Sequence, residues 1–513
     1  MQDYGNSKLL TGKTILFFIV LMIVAFLPVS SFLFFLKNDA FTGYFPPKFF
    51  MSESLHDGIL PLWNPYINFG LPQYGDMSSG YWSPITWLIA ATVGYNAYSF
   101  TIEVLLYLFI AGIGMYALCK VYQFKNIVCL IAGASYMCSG YMVGHMQHFN
   151  WISGAAFLPC CLWAYKKLLQ DFTLTNVIIT ALIFYLLVAS AHPGITIGAI
   201  YFFSAYAIFD LFAYEPKAVF KKLKGFLKKN FVFMLGLIVL SSGLILGYLD
   251  ILPHFSRAVK PPTEAIVNPG NLKTYISFLF PLATVKNNEW FATDISMRNL
   301  YIGIIMLLFF FAALTHKKTR DQLFFIGIGI LFLMLSSGGW LTGLLYKLPL
   351  LGYIRGPGEF TIFSLLAFTL VAAFSLNQLI QNNFSPSKLL LIIRSIAIIL
   401  LIVSCGALSK IISTHDSLLY KYASSTSVKG FSAQIKMFID NISFYDALLL
   451  QGILQLLLLG YVAHVIRTKN YSRLLFLVAT DLIIATLLNL PFTAVGQASV
   501  KNVQEILNKS TTQ

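Results

Sequence analysis

A few acids, imidazoles and one arginine stand out from an otherwise apolar chain. Asp39 follows the first long apolar run by three residues, and Asp76 lies near the end of the polar stretch that begins there. A carboxylate at a hydrocarbon boundary is partly desolvated, so Asp39 can take a proton from an incoming hydroxyl or, with Asp76, help to hold a divalent metal such as Mg or Mn. The plainer readings are a polar helix terminator for Asp39 and a turn residue for Asp76 in "YGDMSSG". His145 and His148 stand at i and i+3 in "GHMQHFNW", on one helical face with no third metal ligand nearby, which favours polar contacts beside a cavity over a zinc site. His192 in "AHPG" is a turn residue first and a substrate-positioning residue second. Arg355 in "YIRGPGEF" has a planar fork suited to a phosphate or diphosphate, and Gly356 and Gly358 would let backbone amides approach the same anion. A snorkelling interfacial arginine explains Arg355 equally, with Glu359 neutralising it or joining a binding site.

The loop between Asp39 and Asp76 adds His56, Trp63 and Asn64 as candidate substrate contacts. Its "GILPLWNPYINFGLPQYG" is rich in Pro, Gly and aromatics, which makes a rigid, packed loop with flat surfaces for a sugar ring or a prenyl chain. Membrane-interface aromatics account for the same residues without a ligand.

The elements that must position these residues follow from composition. Hydrophobic residues make up 58% of the 513 and charged residues 11%, with a mean hydropathy of +0.75, which excludes a soluble globular surface. The run from Thr14 to Leu36 reads as an uncleaved first span. Further apolar runs near 99–119, 126–143, 152–165, 175–191, 194–213, 230–249, 299–315, 322–338, 359–379, 389–409, 444–465 and 474–492 bring the expected total to about thirteen transmembrane helices. Pieces at 82–94 and 275–285 are too short to cross and are expected as interfacial or re-entrant helices. The expectation is an all-α polytopic membrane protein with no large soluble domain. The six cysteines fall in apolar runs and read as small core residues.

With the N-terminus inside, the loops carrying Lys120/Lys125, Lys166/Lys167, Lys317/Lys318/Arg320 and Arg467/Lys469/Arg473 all face the cytoplasm. The basic "KAVFKKLKGFLKKN" (217–230) does too, as a topogenic anchor rather than a lipid-binding patch. Such loops and anionic lipid account for the net charge of +15, so nucleic acid is not implied. Six of the eight histidines (His56, His145, His148, His192, His254, His415) then lie on the outer side, as do Glu103 and Asp250 near span ends. A site, if present, faces outward. A transporter or flippase would share this layout but would tend to show mid-span charges and repeated broken helices. Here the mid-spans are nearly free of charge, Asp481 in the last span being an exception and Asp210 lying near a cytoplasmic end.

In order along the chain, Asp39, "LPLWNPYINFGLPQYGD", "SGYMVGHMQHFNWISGAAFLP", "AHPG", "LPHFSRA", "YIG" and "YIRGPGEF" resemble the YfhO-like family of integral-membrane GT-C superfamily glycosyltransferases. The resemblance covers roughly residues 14–380. It implies a GT-C-like catalytic core over 1–380, with the first extracytoplasmic loop at 37–98, followed by C-terminal transmembrane helices over 381–513. The extracytoplasmic domain of longer relatives is not expected here. The activity implied is transfer of a sugar from a polyprenyl-phosphate-linked donor to an extracytoplasmic glycan, lipid or protein acceptor at a bacterial plasma membrane. Asp39 would be the catalytic acid-base residue and Asp76 a second acid. Arg355 would meet the donor phosphate, and His145, His148 and His192 would line the cavity. The chain also shows no P-loop or Rossmann signature, as suits a lipid-linked donor. A transporter of lipid-linked sugars and an inactive GT-C-like scaffold stand as alternatives.

Overall fold

The computed structural model describes residues 10–67, 69–76, 79–213, 219–254, 266–382, 385–415, 417–424 and 431–510. Most of "LPHFSRA", from Phe255 on, lies outside them, as does the start of the basic segment at 214–218.

The N-terminal half contains α1 (Gly12–Ala25), α2 (Leu27–Ser30), α3 (Phe45–His56), α4 (Pro84–Ala91) and α5 (Ala97–Val121). It continues with α6 (Asn126–Met137), α7 (Gly140–Gly144), α8 (Phe149–Gln170), α9 (Leu174–Ser190), α10 (Pro193–Ala213), α11 (Val219–Leu240) and α12 (Ser242–Ile251). The second half contains α13 (Asn288–Phe291), α14 (Ile304–Leu314), α15 (Arg320–Ser336), α16 (Trp340–Leu345) and α17 (Thr361–Ile380). It closes with α18 (Pro386–Thr414), α19 (Leu418–Ser424), α20 (Phe431–Asn441), α21 (Phe444–Thr468), α22 (Arg473–Thr493) and α23 (Val500–Ser510). One two-residue hairpin, Trp63–Asn64 against Leu71–Pro72, is the sheet among the described residues. The protein is an all-α membrane architecture.

Every expected apolar run overlaps a helix. By length and apolarity, however, seven helices among the described residues can cross a membrane, or eight if α11 and α12, which meet at 60°, count as one span. The apolar α1, α9 and α14 are shorter. The central helix is α17, whose apolar window is 94% buried, whereas that of α18 is 28% buried and turns leucines and isoleucines outward, as a lipid-facing helix must.

The first expected span is shorter than its hydropathy suggests. Phe26 leaves helical geometry, and Pro28 cannot donate the hydrogen bond that would continue α1. Ser30 then donates its hydroxyl to the Ile23 carbonyl, a group that the ending helix leaves unpaired, and Ser31 donates amide and hydroxyl to the Leu27 carbonyl. Phe35 to Lys37 run extended and pair with residues 494–498 instead of prolonging a helix. Asp39 thus follows an irregular connection and stands at the N-terminal end of the short π-helix Ala40–Tyr44 that leads into α3, rather than at the C-terminal end of α1.

Local chemistry also fixes the other boundaries. Asn96 and Ser99 form a reciprocal cap at the start of α5, and Ser443 and Asp446 do so for α21. The run expected from residue 299 becomes helical only at Ile304. Gly303 adopts φ 89°, a conformation costly for any other residue, and the Asp481 carboxylate accepts the Ile304 amide at 2.9 Å and the Tyr301 hydroxyl at 2.6 Å. "YIG" is therefore a helix-starting turn, and the one acid within the last span caps it.

Candidate active site

The connection after Phe35–Lys37 turns at Asn38, which has φ 52° and donates its side-chain amide to Gln147 Oε1 at 2.6 Å. That contact brings the first loop onto the segment joining α7 and α8. Asp39 Oδ2 then lies 3.5 Å from His148 Nε2. The His148 ring stacks on Trp151 at 4.9 Å between centroids, and His145 meets the same indole edge-on at 4.8 Å. On the other side Trp151 packs against His192 at 5.3 Å, and His192 Nδ1 is 2.8 Å from Glu359 Oε2. Two acid–imidazole pairs therefore flank one buried indole.

The two pairs differ in exposure. The Glu359 side chain is 1% exposed and the Asp39 side chain 60%, so the former is an interior anchor and the latter open to an incoming group. Gly194 makes the anchor possible, because a Cβ there would lie 1.9 Å from Glu359 Oε1. His192 Nδ1 thus meets both the Glu359 carboxylate and, at 3.3 Å, the Gly194 amide, and these contacts hold the ring with Nε2 on its other edge.

Electrostatics link the remaining residues. Burial pushes the Tyr44 phenol up, and Asp39, Asp76 and Glu359 reinforce the shift, so this hydroxyl stays protonated within the field of all three carboxylates. Burial pulls His148 below its usual value, Asp39 and Asp294 pull partly back, and His192 adds to the lowering. Burial, then His148, holds His145 well below the usual imidazole range, so it is neutral. Among the described residues neither nitrogen of His145 finds a hydrogen-bond partner, and neither does the hydroxyl of the buried Tyr141 beside it.

Behind this cluster, Lys48 of α3 and Glu103 of α5 form a fully buried ion pair at 3.2 Å. Thr86, Tyr95 and Tyr107 hydrogen-bond the pair, and the ammonium sits 4.1 Å from the ring centre of Phe149, next to His148. Glu103 is thus a structural acid that joins the first loop to the bundle.

The other sequence candidates fall elsewhere. Arg355 is exposed beside Gly356, which approaches the Trp151 ring, so the arginine stands at the rim of the cluster. Gly358 is packed against Met297 and Asn268, where its backbone is closed to an anion. Asp76 is half-buried; its carbonyl accepts from Ser79 in a turn, and its charge reaches both Tyr44 and Tyr248. His56 is exposed at the end of α3 against Gly94, and Trp63 is exposed over Gly70. The buried Asn64 amide is occupied within its hairpin, accepting from the Tyr66 amide and donating to Gln73. Tyr44, Trp151, Asn38 and Gln147 do not stand out in the sequence, although Trp151 and Gln147 lie inside the histidine motif. Among the described residues no three His, Cys, Asp or Glu side chains converge as metal ligands do.

A second feature adjoins the site. α9 to α12 enclose an apolar cavity of about 370 Å³ lined by Phe184, Leu187, Ile200, Phe203, Phe233 and Leu237. Its wall also includes Thr196, one helical turn from His192, and Ser241 at the bend between α11 and α12. Beyond that bend α12 packs on the first loop, where Tyr74 donates to Asp250 at 2.6 Å and Tyr248 lies near Asp76. The cavity thus shares α10 with the turn that carries His192, while none of Asp39, His148, Trp151, His192 and Glu359 lines it.

No protein-family model and no curated protein matches the chain. Among solved structures, ArnT from Cupriavidus metallidurans bound to undecaprenyl phosphate is similar, with a TM-score of 0.53 at 12% identity over 94% of this chain and 77% of that one. The likeness shows an ArnT-like fold.

Proposed function

We propose that this protein is a membrane glycosyltransferase that moves a sugar from a polyprenyl-phosphate-linked donor to an extracytoplasmic acceptor, a cell-envelope glycan, a lipid or a protein. The observation that carries the reading is the pairing of Asp39 with His148 at 3.5 Å, across Trp151 from the His192–Glu359 pair, in an ArnT-like bundle whose α10 also lines an apolar cavity. The undecaprenyl phosphate named for the ArnT structure fits that cavity in chemical class: an isoprenoid tail in the apolar part and a phosphate at its polar end.

Each group has a role. Asp39 takes the proton of the acceptor hydroxyl as its oxygen bonds the anomeric carbon. The bond from that carbon to the phosphate oxygen breaks, and polyprenyl phosphate leaves with the electron pair. Arg355 at the rim meets the departing charge, and the sugar ring lies over Trp151, with His192 Nε2 accepting a sugar hydroxyl. Asp76 holds the Asp39 side of the cavity negative. A Mg or Mn ion on Asp39 and Asp76 gains no third protein ligand among the described residues, and none of these steps passes through one. The multi-pass placement in a plasma membrane, N-terminus cytoplasmic and site outside, follows the basic loops.

Reconstitution in vesicles with a polyprenyl-phosphate sugar tests the reading. Asp39→Asn should abolish transfer while the protein remains folded; undiminished transfer would overturn the assignment. Comparing envelope glycans of cells with and without the protein would identify sugar and acceptor.

A further inference from the structure

The residues leading into Asp39 are held by the far end of the chain. Gly496 N donates to Phe35 O at 2.8 Å, Phe35 N donates to Ala498 O at 2.9 Å, and Lys37 N donates to Ala494 O at 3.0 Å. Leu36 and Val495 thus face each other as an antiparallel bridge. The Lys37 ammonium donates to the Phe492 carbonyl, where α22 ends with unpaired acceptors and the negative end of its dipole. Phe35, Leu36 and Ala494 are buried, so apolar packing backs the hydrogen bonds.

The same segment touches the other half of the site. Thr493 donates its hydroxyl to the Val143 carbonyl at 3.1 Å, two residues before His145. Beyond the strap, α23 buries Val500 and Val503, and Gln504 Oε1 accepts the Ala97 amide at 3.0 Å, at the start of α5. Asp39 comes two residues after the last strapped residue, with the Asn38–Gln147 bond as a second restraint beside it. Side-chain direction in an extended segment alternates with period two, so a strap lost or slipped by one residue re-aims the residues beyond it, Asp39 included.

We infer that Ala494–Ala498 is a positioning element of the active site, setting the Asp39 carboxylate against His148. The inference rests on the proposed role of Asp39 for its kinetic consequence but not for its geometric one. The segment itself touches no substrate. It acts through the backbone of residues 35–37, and it gives a function to part of the 381–513 region, which sequence motifs leave unassigned.

Gly496→Pro deletes the amide that holds Phe35, and truncation after Thr493 deletes the strap. Both should lower kcat by about 10²-fold, as expected for a misplacement of roughly 1 Å, with donor KM unchanged within roughly twofold. A readout independent of activity uses full-length protein carrying Cys405→Ser with Asp39→Cys and His148→Cys. A short bis-maleimide, adding one thiol to each ring, should join the two cysteines in the otherwise native chain and at least about fivefold less in the Gly496→Pro background, as a shift in that distance requires.

Rescue distinguishes positioning from general damage. The Leu36–Val495 bridge is a non-hydrogen-bonded antiparallel pair, with Cα atoms expected about 4.5 Å apart, inside the roughly 4.4–6.8 Å range of disulfides. Oxidising Leu36→Cys/Val495→Cys in the Gly496→Pro background should restore crosslinking and kcat, and reduction should remove both. Crosslinking untouched by Gly496→Pro and truncation, or not recovered by the disulfide, would overturn the inference. Absence of any sugar transfer by the native protein would refute the proposed function instead, and crosslinking would still decide the strap.

Discussion

His192 Nδ1 lies 2.8 Å from Glu359 Oε2, joining the turn between α9 and α10 to the one-turn segment Pro357–Phe360 that leads into α17 across 167 positions of sequence. The Glu359 carboxylate orients the ring, and a proton held between it and Nδ1 would prepare the imidazole to accept at its other nitrogen. Glu359→Gln should reduce kcat by about 10²-fold or more. Gly194→Ala, which would drive a methyl group into the same carboxylate, should have a similar effect. Steady-state kinetics of both variants check this, and wild-type kcat in Glu359→Gln would refute it.

Acid should destabilise the protein through the histidine cluster. Burial holds His145 and His148 below the usual value of 6.5. The unfolded chain therefore binds more protons than the folded one as pH falls from that value toward the lowered ones. Stability is complete above about pH 6.5 and is lost below it, by up to about 1.4 kcal/mol per pH unit for each histidine. Thermal midpoints measured across this range should fall on acidification, and less steeply in His145→Phe. A flat profile would show that these rings are not held neutral by the fold.

The Lys48–Glu103 pair should behave as a buried charge pair behind the site. Lys48→Met or Glu103→Gln alone leaves the other ion unpaired and should cost about 3–5 kcal/mol. The double replacement Lys48→Met/Glu103→Leu should be much milder. Unfolding midpoints in detergent compare the three, and simple additivity of the single losses would contradict the pairing.

Filling the apolar cavity should separate lipid binding from chemistry. Ala199 lines it on α10, and Ala199→Trp should raise KM for a long-chain polyprenyl donor by about tenfold with kcat little changed. A short-chain donor should be less affected. Equal KM for both donors in the native protein and the variant would remove the cavity from the donor path.

Hydropathy makes the helices legible because a bilayer demands long apolar segments whatever their partners. It overextends them where a single residue decides. Phe26 and Pro28 end α1 inside an apolar run, and Gly303 delays α14 although Leu300 and Ile302 extend the apolar run before it. The histidine motif announces itself through i, i+3 spacing, yet its partners do not. The His192–Glu359 contact, the Asn38–Gln147 contact and the capping of Ile304 by Asp481 arise from tertiary packing between distant segments, which no local pattern encodes. Asp481, the residue that most resembles a transporter's intramembrane charge, is engaged by Tyr301 and a helix amide. Trp151 is in view as part of a motif, but its place between two imidazoles requires the fold.

The strap that couples residues 35–37 to residues 494–498 sets an order on biogenesis. Asp39 leaves the ribosome well before the segment that supports its backbone. Contacts this distant in sequence form late, after the intervening helices have inserted. A partly synthesised chain thus carries Asp39 without that support, and the proposed site is complete only once Ala494–Ala498 has met residues 35–37.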